Sequence, residues 1–116
     1  MILGIGVDVV DIRRLEEALR RTPGLRTRLF TEGERDLPAH SLAARFAAKE
    51  AVAKALGGPR GVTHLEAEVR RRESGRPELH LTGRAAEVAY ELGVKRWHLT
   101  LSHDGGVAVA YVIAEG

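Results

Sequence analysis

The sequence predicts an α+β domain, a mostly antiparallel sheet with packed helices, on the strength of three observations. Leu3, Ile5, Val7 and Val9 alternate with Gly4, Gly6 and Asp8 at the period of a strand. Two later stretches read as hairpins: Leu65 to Leu81 around Glu73-Ser74-Gly75, and Trp97 to Ile113 around Asp104-Gly105. Helical stripes bounded by Gly and Pro lie between them, with no linker, repeat or low-complexity tract. At 116 residues the chain is expected to form one domain, residues 1–116, burying roughly two thirds of its unfolded surface.

The elements follow in order. The first strand, Ile2 to Val10, keeps its apolar side chains on one face, and its glycines leave the other unencumbered up to the Asp8 carboxylate. Asp11 can N-cap a helix with the stripe Ile12, Leu15, Ala18 and Leu19, which Pro23-Gly24 ends. A short irregular or helical piece runs through Phe30 to Pro38. Ser41 is the expected cap of an Ala-rich helix that Gly57-Gly58-Pro59 stops. Leu65, Ala67 and Val69 alternate into the first hairpin, returning through Leu79 and Leu81. Thr82 is placed to cap a helix carrying Ala85, Val88, Ala89 and Leu92, with Gly93 after it. Trp97, Leu99 and Leu101 alternate before Asp104-Gly105 turns the chain into Val107 to Ile113.

Composition narrows the function classes. Hydrophobic residues make up 44% with few aromatics, so Ala, Val and Leu build the core. Without cysteine there are no disulfides and no thiolate metal sites, which agrees with a cytoplasmic setting. No apolar run approaches about 18 residues, and Met1 opens directly into a strand pattern. Neither a secretion signal nor a membrane span is therefore expected. Net charge is only +2, yet Arg13, Arg14, Arg20, Arg21, Arg26 and Arg28 crowd the first quarter. Such clustering marks either a solvated helix face or an acidic partner.

Arg45 to Gly57 is the most informative stretch. The chain has three lysines, and two of them, Lys49 and Lys54, fall here around Glu50. In an arginine-rich chain, lysine at these places suggests a need for a compact ammonium. Phe46, Glu50 and Lys54 share one helical face, and Arg45 and Lys49 form a second pair beside it. One acid among several cations suits an anion site with a metal. The plainer reading of Glu50 and Lys54 is a surface ion pair worth about 0.2–0.5 kcal/mol. Likewise, Asp8 could be a strand-end cap and His103 an ordinary half-buried histidine.

Taken together, Gly4-Ile5-Gly6-Val7-Asp8, Phe46-Ala47-Ala48-Lys49-Glu50 with Lys54, and Leu101-Ser102-His103-Asp104 closely resemble the bacterial holo-(acyl-carrier-protein) synthases. These are the short, single-repeat members of the 4′-phosphopantetheinyl transferase superfamily. The resemblance spans the chain, including Gly75-Arg76-Pro77 and the final hairpin. It implies a 4′-phosphopantetheinyl transferase-like fold and an enzyme of fatty-acid biosynthesis. The implied reaction moves the phosphopantetheine arm of coenzyme A to a serine of apo acyl carrier protein, releasing adenosine 3′,5′-bisphosphate.

The resemblance also assigns roles. Asp8 and Glu50 match Mg²⁺ ligands, and Lys54 matches a lysine at the pyrophosphate. The serine proton passes to Glu50 through a metal-bound water, or to that water itself. Arg45, Lys49, Lys54, Ser102 and His103 match coenzyme A contacts, with Arg45 and the Ser102-His103 pair near the 3′-phosphate or adenosine. Ser102-His103-Asp104 is no hydrolase triad, because adjacent strand residues point to opposite faces. Arg14 falls at the position of a family arginine that docks the acidic carrier protein, with Arg13, Arg21 and Arg20 behind it. The segment between Phe30 and Arg45 is shorter than in many relatives, and no role is carried over from it. Many such relatives form homotrimers, which implies a site shared between Asp8 and His103 of one subunit and Arg45, Glu50 and Lys54 of the next, or the equivalent split.

The rival reading is a small arginine-rich module that binds RNA or another anion without chemistry. Two Phe, two Tyr and one Trp, none interleaved with the arginine clusters, argue against a base-stacking RNA surface. A third reading, a phosphate-binding regulatory subunit, would use the carboxylates only as caps. No nucleic acid or membrane partner is expected.

Overall fold

A strand whose inner face is glycine can lie directly on a helix, and that contact organises the molecule. The computed structural model describes residues Met1–Gly116. Strand β1 (Ile2–Asp11) pairs antiparallel with β5 (Val107–Glu115), and β5 pairs antiparallel with β4 (Arg96–Asp104), giving sheet order β1-β5-β4. Helix α3 (Ala39–Ala55) lies across this sheet. A Cβ on Gly4 would fall 1.9 Å from the Ala55 carbonyl oxygen, and one on Gly6 would fall 1.9 Å from that of Ala51. Alanine completes the fit from the other side: Ala43, Ala47, Ala48, Ala51, Ala108 and Ala110 are fully buried. Small side chains bring backbones close enough that little space is left unfilled.

The remaining elements wrap this layer. Helix α1 (Ile12–Arg21) is capped by Asp11, whose Oδ1 accepts from the Arg14 N–H at 2.9 Å. The short α2 (Leu25–Leu29) follows Gly24, which takes φ 85° as the chain turns. Strands β2 (Ala67–Arg71) and β3 (Pro77–Leu81) form a separate antiparallel hairpin with Val69 opposite Leu79. Helix α4 (Gly83–Leu92) ends on Gly93 in the left-handed region. Phe30, Leu42, Val52, Leu56, Val88 and Val112 are buried in the core.

Three local expectations change. Helix α3 begins at Ala39 with Pro38 as N-cap, so Ser41 lies inside the helix and caps nothing. Leu65 belongs to a 3₁₀ turn, His64–Glu66, which precedes β2. Thr82 does occupy the N-cap of α4, but its side chain makes no cap bond. The Glu66 carboxylate caps that helix, accepting from the Arg84 N–H at 2.8 Å while also accepting from the Thr63 N–H at 2.8 Å. A carboxylate suits the positive end of a helix better than a hydroxyl does.

The first strand is turned over relative to an ordinary amphipathic strand. Its glycine and Asp8 face the helix, while Ile5, Val7 and Val9 are 51%, 44% and 60% exposed. Register places Ile5 beside Ile113, Val7 beside Tyr111 and Val9 beside Val109 on this outer face. The sheet therefore carries a continuous apolar surface with no cover from its own chain.

Gly6→Ala is expected to lower unfolding stability by on the order of 3 kcal/mol or more, since its methyl would meet helix backbone rather than a mobile side chain. Urea denaturation of the variant measures this. A loss below about 1 kcal/mol would mean that β1 can retreat from α3 at little cost.

Candidate active site

The site forms where the end of the glycine face meets the last turns of α3. Asp8 follows Gly4 and Gly6 on the inner side of β1 and is half-buried. The Lys54 ammonium donates to its Oδ1 at 3.1 Å and to the Val7 carbonyl at 2.9 Å. That leaves the third N–H of Lys54 without a partner in the chain, on a side chain 56% exposed. Glu50 stands one turn earlier on the same face. Its Oε2 accepts from His64 Nε2 at 3.1 Å, and its second oxygen bonds to no protein group. Glu50 and Lys54 are thus not an ion pair with each other. Each has its own partner, and between them stand two carboxylates and a free ammonium donor.

Lys49 is placed differently from the expectation. It is 3% exposed, and its three donors are spent on Glu34 Oε1 at 2.8 Å, the His64 carbonyl at 2.9 Å and the Ala67 carbonyl at 2.8 Å. An ammonium has three N–H groups, so none remains for coenzyme A. Burial pushes the Lys49 pKa down, while the charge and hydrogen bond of Glu34 oppose that shift. Arg45 also departs from the expected cluster. Nine residues before Lys54, it lies about 180° around the helix, on the opposite face. It is 4% exposed, its Nε has no partner, and burial lowers its pKa against the pull of Glu34. Neither side chain is presented to a ligand at Lys54.

Ser102 and His103 separate as adjacent strand residues must. His103 lies opposite Ala108 on the helix side, and Ser102 lies opposite Val109 on the outer side. The His103 ring sits 4.7 Å from that of His40 in the first turn of α3. His40 and Lys54 are fourteen residues apart, about 21 Å along the helix axis. Within one chain, His103, opposite Ala108 and beside His40, stands two strands across the sheet from Asp8, which pairs with Ala110. The expected division between subunits is corrected in one respect: Asp8 joins Lys54 within a single chain.

Residues 4–112 match the model of the family described as the 4′-phosphopantetheinyl transferase superfamily. The chain belongs to that superfamily. A holo-(acyl-carrier-protein) synthase of Micrococcus luteus is 59% identical over 117 residues, covering 99% of this chain and 93% of that one. The crystal structure of the Neisseria meningitidis holo-(acyl-carrier-protein) synthase superimposes with TM-score 0.91 at 30% identity, covering all of both chains. A Bacillus anthracis synthase, solved in complex with CoA (3′,5′-ADP), matches with TM-score 0.80 at 34% identity over 98% of this chain and 96% of that one. The chain is accordingly an enzyme of the holo-(acyl-carrier-protein) synthase type, with the 4′-phosphopantetheinyl transferase-like fold.

The donor set at the end of α3 fits a hard divalent cation. No group of three or more His, Cys, Asp or Glu side chains gathers there: Asp8 is tied to Lys54, and Glu50 to His64. Mg²⁺ is commonly bound by one or two carboxylates, with waters and substrate phosphate oxygens filling the other positions. On α1, Arg13, Arg14, Arg20 and Arg21 are all exposed, and none forms a salt bridge.

Sequence reasoning missed Glu34, His64 and His40. Glu34 sits in Thr31-Glu32-Gly33-Glu34-Arg35-Asp36, and nothing in that polar run marks it as the acid that is fully buried. His64 follows a Gly-Pro-rich turn with no motif around it.

Lys49→Met is expected to cost about 3–5 kcal/mol of stability by stranding Glu34 as a buried unpaired charge. Lys54→Met should cost less than about 1 kcal/mol, because its ion pair is exposed. Parallel urea titrations compare the two. Equal losses would contradict the distinction between a structural and a functional lysine.

Proposed function

We propose that the chain transfers the 4′-phosphopantetheine arm of coenzyme A to a serine of an apo acyl carrier protein, with Mg²⁺ and with release of adenosine 3′,5′-bisphosphate. The observation that carries this reading is the junction of Asp8, Lys54 and Glu50, with Lys54 3.1 Å from Asp8, in a chain that matches the superfamily over residues 4–112. The serine oxygen forms a bond to the phosphorus that bears the pantetheine arm, and the bond from that phosphorus to the bridging oxygen breaks. The nucleotide leaves with that oxygen. Such a transfer is catalysed chiefly by positioning and by neutralising charge on the phosphoryl oxygens.

Each side chain has a part. Lys54 places its free N–H against a pyrophosphate oxygen while its other two donors keep it on β1. Asp8 and Glu50 would hold Mg²⁺, which when bound supplies charge neutralisation at the phosphates. The serine proton passes to Glu50 through a water, or to that water itself. His103 meets the nucleotide end of coenzyme A. Arg14, flanked by Arg13 and Arg21, docks the acidic carrier protein, with electrostatic steering that weakens as salt rises.

The assembly we propose is a homotrimer. Leu3, Ile5, Val7, Val9 and Tyr111 leave an exposed apolar face, and symmetric closure would cover it. It would also let a neighbour's His103 complete the Asp8–Glu50–Lys54 site, since within one chain His103 and Asp8 stand two strands apart. A cytoplasmic setting follows from the two substrates, and no helix is long and apolar enough to cross a membrane.

Incubation with coenzyme A, Mg²⁺ and an apo carrier protein tests the reading by mass spectrometry of the carrier. A gain of one phosphopantetheine is expected, and Glu50→Gln should cut its rate at least about tenfold through weaker metal binding. No gain with the parent protein would remove the assignment. Mixing subunits tests the shared site. Glu50→Gln with His103→Ala should recover activity after exchange, whereas Glu50→Gln with Asp8→Asn should not, because those two carboxylates belong to one chain. Recovery in the second mixture alone would reverse the arrangement.

A further inference from the structure

Glu50 needs a partner to be useful. Its side chain is 40% exposed on a helix face, and a free glutamate there samples several rotamers. A ligand or proton acceptor has to be held within about 0.5 Å of its working position. The only protein hydrogen bond the Glu50 carboxylate receives is the one from His64 Nε2 at 3.1 Å. An ionised carboxylate can only accept, so Nε2 carries the hydrogen.

His64 is itself held from three directions. Its ring stacks on Phe46 with centroids 5.4 Å apart and planes 18° from parallel. Its carbonyl oxygen accepts from the Lys49 ammonium at 2.9 Å, and that ammonium is fixed by Glu34 and the Ala67 carbonyl. Its 3₁₀ turn is closed by reciprocal bonds between Thr63 and Glu66. Lys49 and Glu50 are neighbours on α3, so one grips the backbone of His64 while the next receives a bond from its side chain. Phe46, one turn earlier, supports the ring from below.

We propose that His64 is a positioning residue for Glu50, orienting its carboxylate through the Nε2 hydrogen bond, and that buried Lys49 supports it by holding the backbone of His64. This rests on the role given to Glu50 above. A hydrogen bond to a ligating carboxylate aims its lone pairs and leaves the second oxygen free, and losing such a partner typically costs 10- to 100-fold in metal affinity or activity.

The test compares His64→Phe, which keeps the ring stack and loses the donor, with His64→Gln, which keeps a donor of similar reach. Divalent-metal affinity is read by calorimetry with Mn²⁺ in the presence of coenzyme A, alongside kcat and the KM for the carrier. His64→Phe should weaken metal binding and lower kcat by about tenfold with the carrier KM unchanged, and His64→Gln should restore most of both. In a Glu50→Gln background, His64→Phe should add no further loss, because both changes act on one group. Wild-type metal affinity and kcat in His64→Phe, or fully additive losses in the double variant, would overturn the proposal.

The ¹³C signal of the Glu50 carboxyl in metal-free protein separates this from failure of the functional reading. If Glu50→Gln proves fully active, the reading of Glu50 fails, and the carboxyl signal alone decides the linkage. A shift in His64→Phe that His64→Gln reverses upholds it, and an unmoved signal overturns it.

Discussion

The buried pair of Lys49 and Glu34 is the interaction on which the rest of the arrangement depends. Both side chains are 1% exposed, and every donor of the lysine is used. Glu34 accepts from the Thr31 N–H at 3.0 Å with one oxygen and from the Val69 N–H at 2.9 Å with the other. One pair thus ties α3 to the loop after α2, to the 3₁₀ turn and to β2. Two charges removed from water are tolerable only with such complete satisfaction, and the lowered Lys49 pKa shows that desolvation still dominates. The gain is orientation. With Lys49 anchored inward, the neighbouring face of α3 turns Glu50 and Lys54 outward toward Asp8.

The second constraint is the absence of side chains on the inner face of β1. Gly4 and Gly6 let the α3 backbone approach until a methyl group would overlap a carbonyl oxygen. Asp8 is then the first functional group along that face, delivered beside the helix rather than into solvent. The same strand puts its apolar residues on the other side, where Val7 and Tyr111 lie side by side. The placement of Asp8 beside α3 and an exposed apolar surface are therefore two consequences of one glycine pattern. A chain built this way has a reason to associate, since the surface that stabilises most sheets by packing inward here points out.

Much of the secondary structure was legible because local physics decides it. Alternation marks β1, β4 and β5, Asp104-Gly105 supplies the hairpin turn, and Asp11 caps α1 as expected. Where the reading slipped, a distant group had replaced a local one. Thr82 sits at the N-cap, but Glu66, sixteen residues earlier, provides the bond. Ser41 has the right chemistry for a cap, yet the helix begins earlier at Ala39, after Pro38, whose fixed φ is already compatible with a helix start.

By itself the sequence determined the α+β class, through alternation and turn residues, and the superfamily, through motifs that resemble it, because both depend on local residue type and order. Tertiary structure alone decided which of two lysines, five residues apart, is a structural anchor and which faces a ligand. Periodicity places a residue on a helix face, but only the neighbouring segments determine whether that face meets water or a buried carboxylate. For the same reason the sequence held no sign of Glu34 or His64, whose roles arise from contacts 15 and 14 residues away in the chain.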